Sequence, residues 1–374
     1  MSEGRLDPDG WLRLSRAGLL ARRVLNLVQR FLEPRVVFAA DRQAWLEVEG
    51  ITPRDCAKLE RARDLDVSAD RATLEQIGAR LLPITEPAYP QRLKEIYDPP
   101  PVLYARGEVL ARDEQAVAIV GTRNCSNYGL IQAKRLAGDL GRRGFTVVSG
   151  LARGIDSAAH EGALDAGGRT IGVVACGLDV DYPQGHAELK DRLVAQGAVL
   201  GELPLGVRPD RAWFPQRNRI VSGLALGVTV IEAPAKSGAL ITAGLALDQG
   251  REVFAMPGDV SNPRNRGSHQ LIKDGAHLVE TVEDIIEGLG LLLEAVPERE
   301  LVPAAGAAPA AARPQPDLTP DERQIVGALS FQPKHMDEVI RETGLLAGQA
   351  AAALMMLEVK GLVRRFTGNT FVRL

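Results

Sequence analysis

The chain has 374 residues and is poor in most features that would classify it at once. Cysteine occurs three times, at Cys56, Cys125 and Cys176, an odd number without CxxC spacing. This argues against both a disulfide framework and a zinc module. No apolar run is long enough to span a bilayer, and the opening MSEGRLDPDGW has no apolar signal core, so a soluble cytoplasmic protein is expected. Net charge is −3, which excludes a uniformly basic nucleic-acid coat; any positive site must be local. The five histidines, at 160, 186, 269, 277 and 335, show neither HExxH nor paired spacing, and no Ser-His-Asp order or carboxylate pair stands out. Nothing beside Cys125 or Cys176 would lower a thiol pKa, and Asp179 and Asp181 lack a third ligand nearby for a metal. A site that holds a ligand without cutting it is expected: no enzyme, no cofactor, no metal.

What is present is pattern. Residues 1–82 read as a small helical domain. Leu12, Leu14, Leu19, Leu20, Val24, Leu25 and Val28 form a helical stripe, and further helices are expected at Arg42–Leu46, Pro53–Ala62 and Ala72–Leu81. Val48–Leu59 resembles a helix-hairpin-helix without its second glycine, with a plain packing role as the alternative. Six prolines between 83 and 101 make the next stretch an extended connector. Apolar runs of strand length follow at Ala116–Val120, Thr146–Ser149, Thr170–Ala175, Ala198–Leu203, Val228–Ile231, Val253–Met256 and His277–Val279, with helical stretches between them. Strands without polar alternation are buried on both faces, and their alternation with helices implies right-handed crossovers. The expected fold class is α/β, a doubly wound Rossmann-like parallel sheet over residues 83–293. An Ala/Pro-rich linker is expected at 294–316 and a winged helix at 317–374, with helices to about Leu329, His335–Thr343 and Leu346–Lys360, then a hairpin. The third tail helix, AGQAAAALMMLEVK, offers a DNA groove little beyond Gln349 and Lys360, so protein contact or packing is the favoured role there.

Ligands of such sheets sit at the carboxyl ends of the strands. The first loop, Gly121-Thr122-Arg123, is neither GxGxxG nor a P-loop, yet glycine plus the rigid fork of arginine suits phosphate. The second, from Ser149 through Gly150, Ala152, Arg153 and Gly154 to Asp156, has small residues that leave space for a ligand backbone, with Asp156 capping the loop. The third places Tyr182 where a base could stack. Further on, Arg208, Arg211, Arg217 and Arg219 surround Trp213 and Phe214, ahead of Ser237-Gly238 at a helix start. Cations interleaved with aromatics suit a nucleic-acid strand; a solvated surface loop is the alternative.

The segments Gly121-Thr122-Arg123, SGLARGIDSAAHEGAL (149–164), GVVACGLDVDYP (172–183), FPQRNRIVSGLA (214–225), EAPAKSGALITAGLALDQGREVFAMPG (232–258) and NRGSHQLIKDGA (265–276) together resemble the DNA-processing protein A family (DprA, or Smf). The resemblance covers Tyr89–Leu289, and extends more loosely over a sterile-alpha-motif-like N-terminal domain and a C-terminal winged helix. It implies a single-stranded DNA-binding protein of natural transformation that protects incoming strands and helps load the RecA recombinase. It also implies a homodimer through the Rossmann-like domain, with no membrane partner. The implied strand-binding residues are Gly121, Arg123, Ser149, Gly150, Arg153, Tyr182, Phe214, Arg217, Asn218 and Arg219. One departure is that Gln184 and His186 follow Tyr182-Pro183 where the family suggests a lysine, with Lys190 further on. The second reading is a nucleotide-binding enzyme of the phosphoribohydrolase (lysine-decarboxylase-like) group. It rests on the strand–loop–helix from Glu232 to Thr242, which lacks that group's glycine pair and following glutamate.

Overall fold

The structure is a computed structural model and describes residues 7–290, 318–329, 334–366 and 369–373. Six helices come first: α1 (Pro8–Arg16), α2 (Ala21–Phe31), α3 (Pro34–Ala39), α4 (Arg42–Leu46), α5 (Pro53–Arg63) and α6 (Ser68–Gln76). Their starts are written in the sequence. Asp7 precedes Pro8 and accepts from the Gly10 amide, and Thr52 and Asp55 form a reciprocal capping box ahead of α5. Trp11, Leu27, Trp45 and Leu59 fill the helical core.

The expected helix at Ala72–Leu81 is corrected by the structure. α6 ends at Gln76, Gly78 takes a positive φ of 63°, and Ala79–Pro83 forms strand β1. The expected connector supplies a short helix α7 (Gln91–Lys94) and strand β2 (Val102–Gly107), which pairs antiparallel with β1. The helical core therefore continues onto Leu81, Val102 and Tyr104 of this ribbon. In the hairpin before α5 the Ile51 amide bonds to Val48 O and the Thr52 amide to Asp55. Its apolar residues Val48, Ile51, Cys56 and Leu59 pack into the helical core.

From Ala116 the alternation runs as expected: β3 (Ala116–Val120), α8 (Asn127–Arg142), β4 (Thr146–Ser149), α9 (Ile155–Asp165), β5 (Thr170–Val174), α10 (Ala187–Gln196), β6 (Ala198–Gly201), α11 (Trp213–Gly223), β7 (Gly227–Val230), α12 (Gly238–Asp248), β8 (Glu252–Ala255), α13 (Arg266–Lys273), β9 (His277–Leu278) and α14 (Val282–Gly288). The nine strands lie in the order β1-β2-β6-β5-β4-β3-β7-β8-β9. Neighbours from β6 to β9 pair parallel, while β2 meets β6 antiparallel. Every residue of β3, β4 and β5 is buried, as an apolar run covered on both faces requires.

The C-terminal unit contains α15 (Pro320–Ala328), β10 (Lys334–His335), α16 (Met336–Thr343), α17 (Ala347–Val359), β11 (Val363–Phe366) and β12 (Thr370–Arg373), its strands ordered β10-β12-β11. This is the expected winged helix. Thr319 and Glu322 make the capping box of α15, and Glu322 also takes both its oxygens to Lys360 at 2.7 and 2.8 Å. The expected linker, 294–316, lies outside the described residues.

Candidate functional site

Strand order reverses between β3 and β7, so the loops leaving their carboxyl ends part to opposite faces and leave a crevice. A cleft of about 340 Å³ opens there. Its walls are Gly121–Asn124 after β3, Ala152 and Asp156 at the start of α9, Phe214, Arg217 and Asn218 of α11, and Lys236–Gly238 ahead of α12. The Thr122 amide donates to Glu232 O at 2.8 Å, which ties the two diverging loops together at their root.

The glycines of the first two loops meet protein atoms, contrary to the expectation that small residues of the second loop leave space for a ligand backbone, whereas Gly238 lines the cleft with open space beside it. A Cβ on Gly150 would lie 1.5 Å from Arg217 Nη1, so the guanidinium already occupies that space. A Cβ on Gly121 would meet Ile155 at 2.5 Å, although Gly121 itself lines the cleft. Gly154 combines φ +87° with a 2.6 Å approach to Thr122 O, so no other residue fits where the first two loops touch. Asp156 accepts from the Ala152 amide at 3.3 Å, the loop-capping role expected of it.

Arg217 is the central group. It is 7 % exposed, its Nη1 donates to Val173 O at 3.2 Å, and its Nε finds no acceptor among the described residues. Burial draws its pKa below the ordinary value, and the neighbouring cation Arg123 adds to this; Asp156 pulls the other way. Burial likewise pushes the Asp156 carboxyl up, against the field of Arg217. No direct ion pair among the described residues joins the two. A guanidinium stays protonated under such conditions. The cleft therefore holds a buried cation whose compensation is incomplete, which is costly in an empty site and favourable with an anion in it.

Arg123 is exposed at the rim, with its guanidinium 4.6 Å from the centroid of the Phe214 ring. Tyr182 lies on from Phe214, centroid to centroid 6.1 Å and tilted by 57°. Arginine, phenylalanine and tyrosine thus form a row beside the cleft, an arrangement that orients the cation and keeps aromatic surface near it. Asn218 reaches Gly238 O through Nδ2 at 3.4 Å. Lys236 is exposed on the opposite wall, and neither it nor Arg123 makes an ion pair among the described residues. Sequence reasoning passed over Lys236; its only signal was its place in the loop after β7, at the point where strand order turns.

The remaining expected site residues stand elsewhere. Arg219 is as buried as Arg217 but points away from the cleft, held by Glu202 at 2.6 and 2.8 Å and by Asp98 at 3.1 Å. Ser149 is fully buried, and its hydroxyl donates to Ile119 O at 2.6 Å. These two serve the fold and do not line the cleft. Arg153 is exposed beside the cleft and donates to Gln184 O at 3.4 Å. His186, where a lysine was expected, bonds to the Ser157 hydroxyl at 2.8 Å, and Lys190 reaches Val180 O at 3.4 Å.

No candidate nucleophile gains reactivity. Burial pushes the Cys176 thiol up to about 11 and raises Cys125 as well. His160 is buried, bonded to the Thr170 hydroxyl at 2.6 Å, and burial lowers its pKa to about 3. Asp179 takes the Gly206 amide with both oxygens, at 2.9 and 3.0 Å. Among the described residues no cluster suits a metal, and no helix is long and apolar enough to cross a membrane.

Comparison with known proteins agrees with this architecture. The family described as DNA recombination-mediator protein A matches residues 80–290, and the DprA winged helix domain matches 309–369. The chain is 36 % identical to Protein Smf of Escherichia coli over 330 residues, covering 88 % of this chain and 86 % of the relative. It is 44 % identical to the DNA processing protein DprA of Bacillus subtilis over 219 residues, 58 % of this chain and 74 % of that one. Among solved structures, DNA processing protein A of Streptococcus pneumoniae superposes with a TM-score of 0.67 at 34 % identity, covering 76 % of this chain and 98 % of that one. The Helicobacter pylori protein, whose structure is described as revealing a single-stranded DNA binding mode, gives 0.51 at 30 % identity over 56 % of this chain and 95 % of that one. With its sheet, its cleft residues and its tail all falling within these matches, the chain belongs to the DNA recombination-mediator protein A family.

Proposed function

We propose that this chain binds single-stranded DNA in the cleft between β3 and β7, without catalysis, as a DNA-processing protein of transformation. The observation that carries the reading is Arg217: a buried guanidinium with incomplete compensation and an idle Nε, on the wall of a cleft rimmed by Arg123 and Lys236. A phosphate there would supply the missing counter-charge through charge-assisted hydrogen bonds. The row of Arg123, Phe214 and Tyr182 gives exposed bases a surface that a paired duplex cannot use. The binding mode described for the Helicobacter pylori relative supports the same ligand.

The test is fluorescence anisotropy with oligothymidylate across a salt series. Arg123→Ala and Arg217→Ala should each weaken binding by about 1–3 kcal/mol with a shallower salt slope, and duplex should compete poorly. Wild-type affinity in both variants would sink the reading. The same proposal includes handing the bound strand to RecA, measured as RecA filament formation on pre-coated single strands.

It also includes a homodimer. α12 is apolar nearly all round, yet Ile241 and Leu247 on it stand exposed. A helix of that composition is normally covered, so its outward face fits a second copy. Light scattering of Ile241→Asp combined with Leu247→Asp should report a monomer if this face is the interface.

A further inference from the structure

The loops around the cleft differ in charge, and the difference gives the bound strand a direction. On the β5 side, the loop 175–186 carries Asp179 and Asp181 and no lysine or arginine. On the β8 side, the loop 256–265 carries Arg264 against Asp259, and Arg266 follows directly at the start of α13. Arg264 is fixed to the cleft itself, its Nε donating to Asn124 O at 2.9 Å on the loop after β3. Arg266 is exposed and makes no ion pair among the described residues. Lys236 lines the cleft from the loop after β7, and Val260, 86 % exposed, lies on the β8 loop. Toward β5 a polyanion meets Asp179 and Asp181 beside Arg153, whose guanidinium already bonds to Gln184 O, whereas toward β8 it meets Lys236, Arg264 and Arg266 against Asp259 alone in adjacent loops.

We propose that a bound single strand leaves the cleft over the β8–α13 loop, with Arg264 and Arg266 forming a second phosphate subsite beyond the pocket. Val260 gives this subsite an apolar contact for an unstacked base. This inference rests on the single-strand reading of the cleft, so the experiment separates the two. Anisotropy is measured with thymidylate oligomers of about 6 and about 20 nucleotides, a range that brackets common single-strand site sizes. Variants are Arg266→Ala alone, which disturbs no described contact, Arg264→Ala with Arg266→Ala, and Arg217→Ala as the pocket control.

The double variant is expected to bind the long oligomer about three- to tenfold more weakly and the short one as wild type does. Its salt slope on the long oligomer should shrink by about 1.4, the value for two phosphate contacts on a single strand. Arg266→Ala alone should give about half that change in slope, which guards against a folding defect in the double variant. Unchanged binding of the long oligomer overturns the subsite, as does an equal loss on both lengths, which would put these arginines in the pocket. If Arg217→Ala leaves the short oligomer unaffected, the pocket reading fails and takes the subsite with it.

Discussion

The two faces of α11 carry arginines two residues apart, equally buried and opposite in use. Successive helix positions turn by about 100°, so Arg217 and Arg219 diverge by about 200°. Arg219 has its charge matched by two carboxylates, Glu202 and Asp98, although its Nη1 finds no acceptor among the described residues. Arg217 meets one carbonyl, a distant carboxylate field and a cleft. A buried cation with its partners in place holds a fold together; one lacking them is held in place by the fold for something else to complete.

The largest effect expected from this contrast is on stability. Arg219→Ala should cost on the order of 3 kcal/mol in denaturant unfolding, because it strands Glu202 in a site where burial already raises that carboxyl's pKa. Its affinity for single strands, measured on the folded fraction, should match wild type. Arg217→Ala should show the reverse pattern, with the loss in binding. If both substitutions lower affinity alike, the two faces do not differ and the contrast collapses.

His160 tests the cleft side at lower energy. It lies within the field of Arg217, and burial holds its folded pKa near 3 against an ordinary 6.5. A depressed folded pKa means that the unfolded chain takes up the proton first as pH falls. Stability from this group is therefore complete above pH 6.5 and is lost toward pH 3. At pH 5 the loss should reach about 2 kcal/mol. His160→Gln should flatten the decline between pH 7.5 and 5 in thermal or denaturant melts; an unaltered slope would remove His160 from the account.

Gly150→Ala is a smaller and sharper test, since it touches the arginine without changing its charge. A methyl at that position would sit inside the space of the Arg217 guanidinium. The side chain must move, and affinity should fall by about 1–2 kcal/mol, part of what Arg217→Ala loses. In the Arg217→Ala background the same change should do nothing further to binding, a non-additivity that marks the glycine as a positioning residue.

How much of this was legible in the sequence depended on range. β3, β4 and β5 were plain because full burial on both faces leaves an uninterrupted apolar run. β1 was missed: Ala79–Pro83 is a strand only because it pairs with Val102–Gly107, and no local pattern announces a partner so far along the chain. Arg217 and Arg219 were both expected at the strand-binding site, since their burial partners lie in other elements. α11 begins at Trp213, and a continuous helix through both positions sends them to opposite faces. Ser149 and Gly150 were legible as small residues in a βα loop, but what filled the space beside them, a hydrogen bond to Ile119 and the guanidinium of Arg217, comes from other elements.

The tail repeats the Arg219 case and gives the smallest prediction. α17 has two polar residues that a DNA groove might have used, and both are committed within the unit. The Gln349 side-chain oxygen accepts from the Leu346 amide at 3.1 Å as part of a helix cap, and Lys360 is bound by Glu322. The exposed surface of that helix is instead apolar, at Met355, Met356 and Val359. On the wing, Arg365 and Arg373 are exposed, while the Arg364 side chain lies outside the described residues. Gln349→Ala should therefore cost the tail about 0.5–1 kcal/mol as a lost cap, visible as a lower melting temperature of that unit. Binding of both single-stranded and duplex DNA by the full chain should stay as in wild type. A drop in duplex affinity greater than the loss of folded tail would show that the amide reads a groove, and α17 would then belong with Arg217 and not with Arg219.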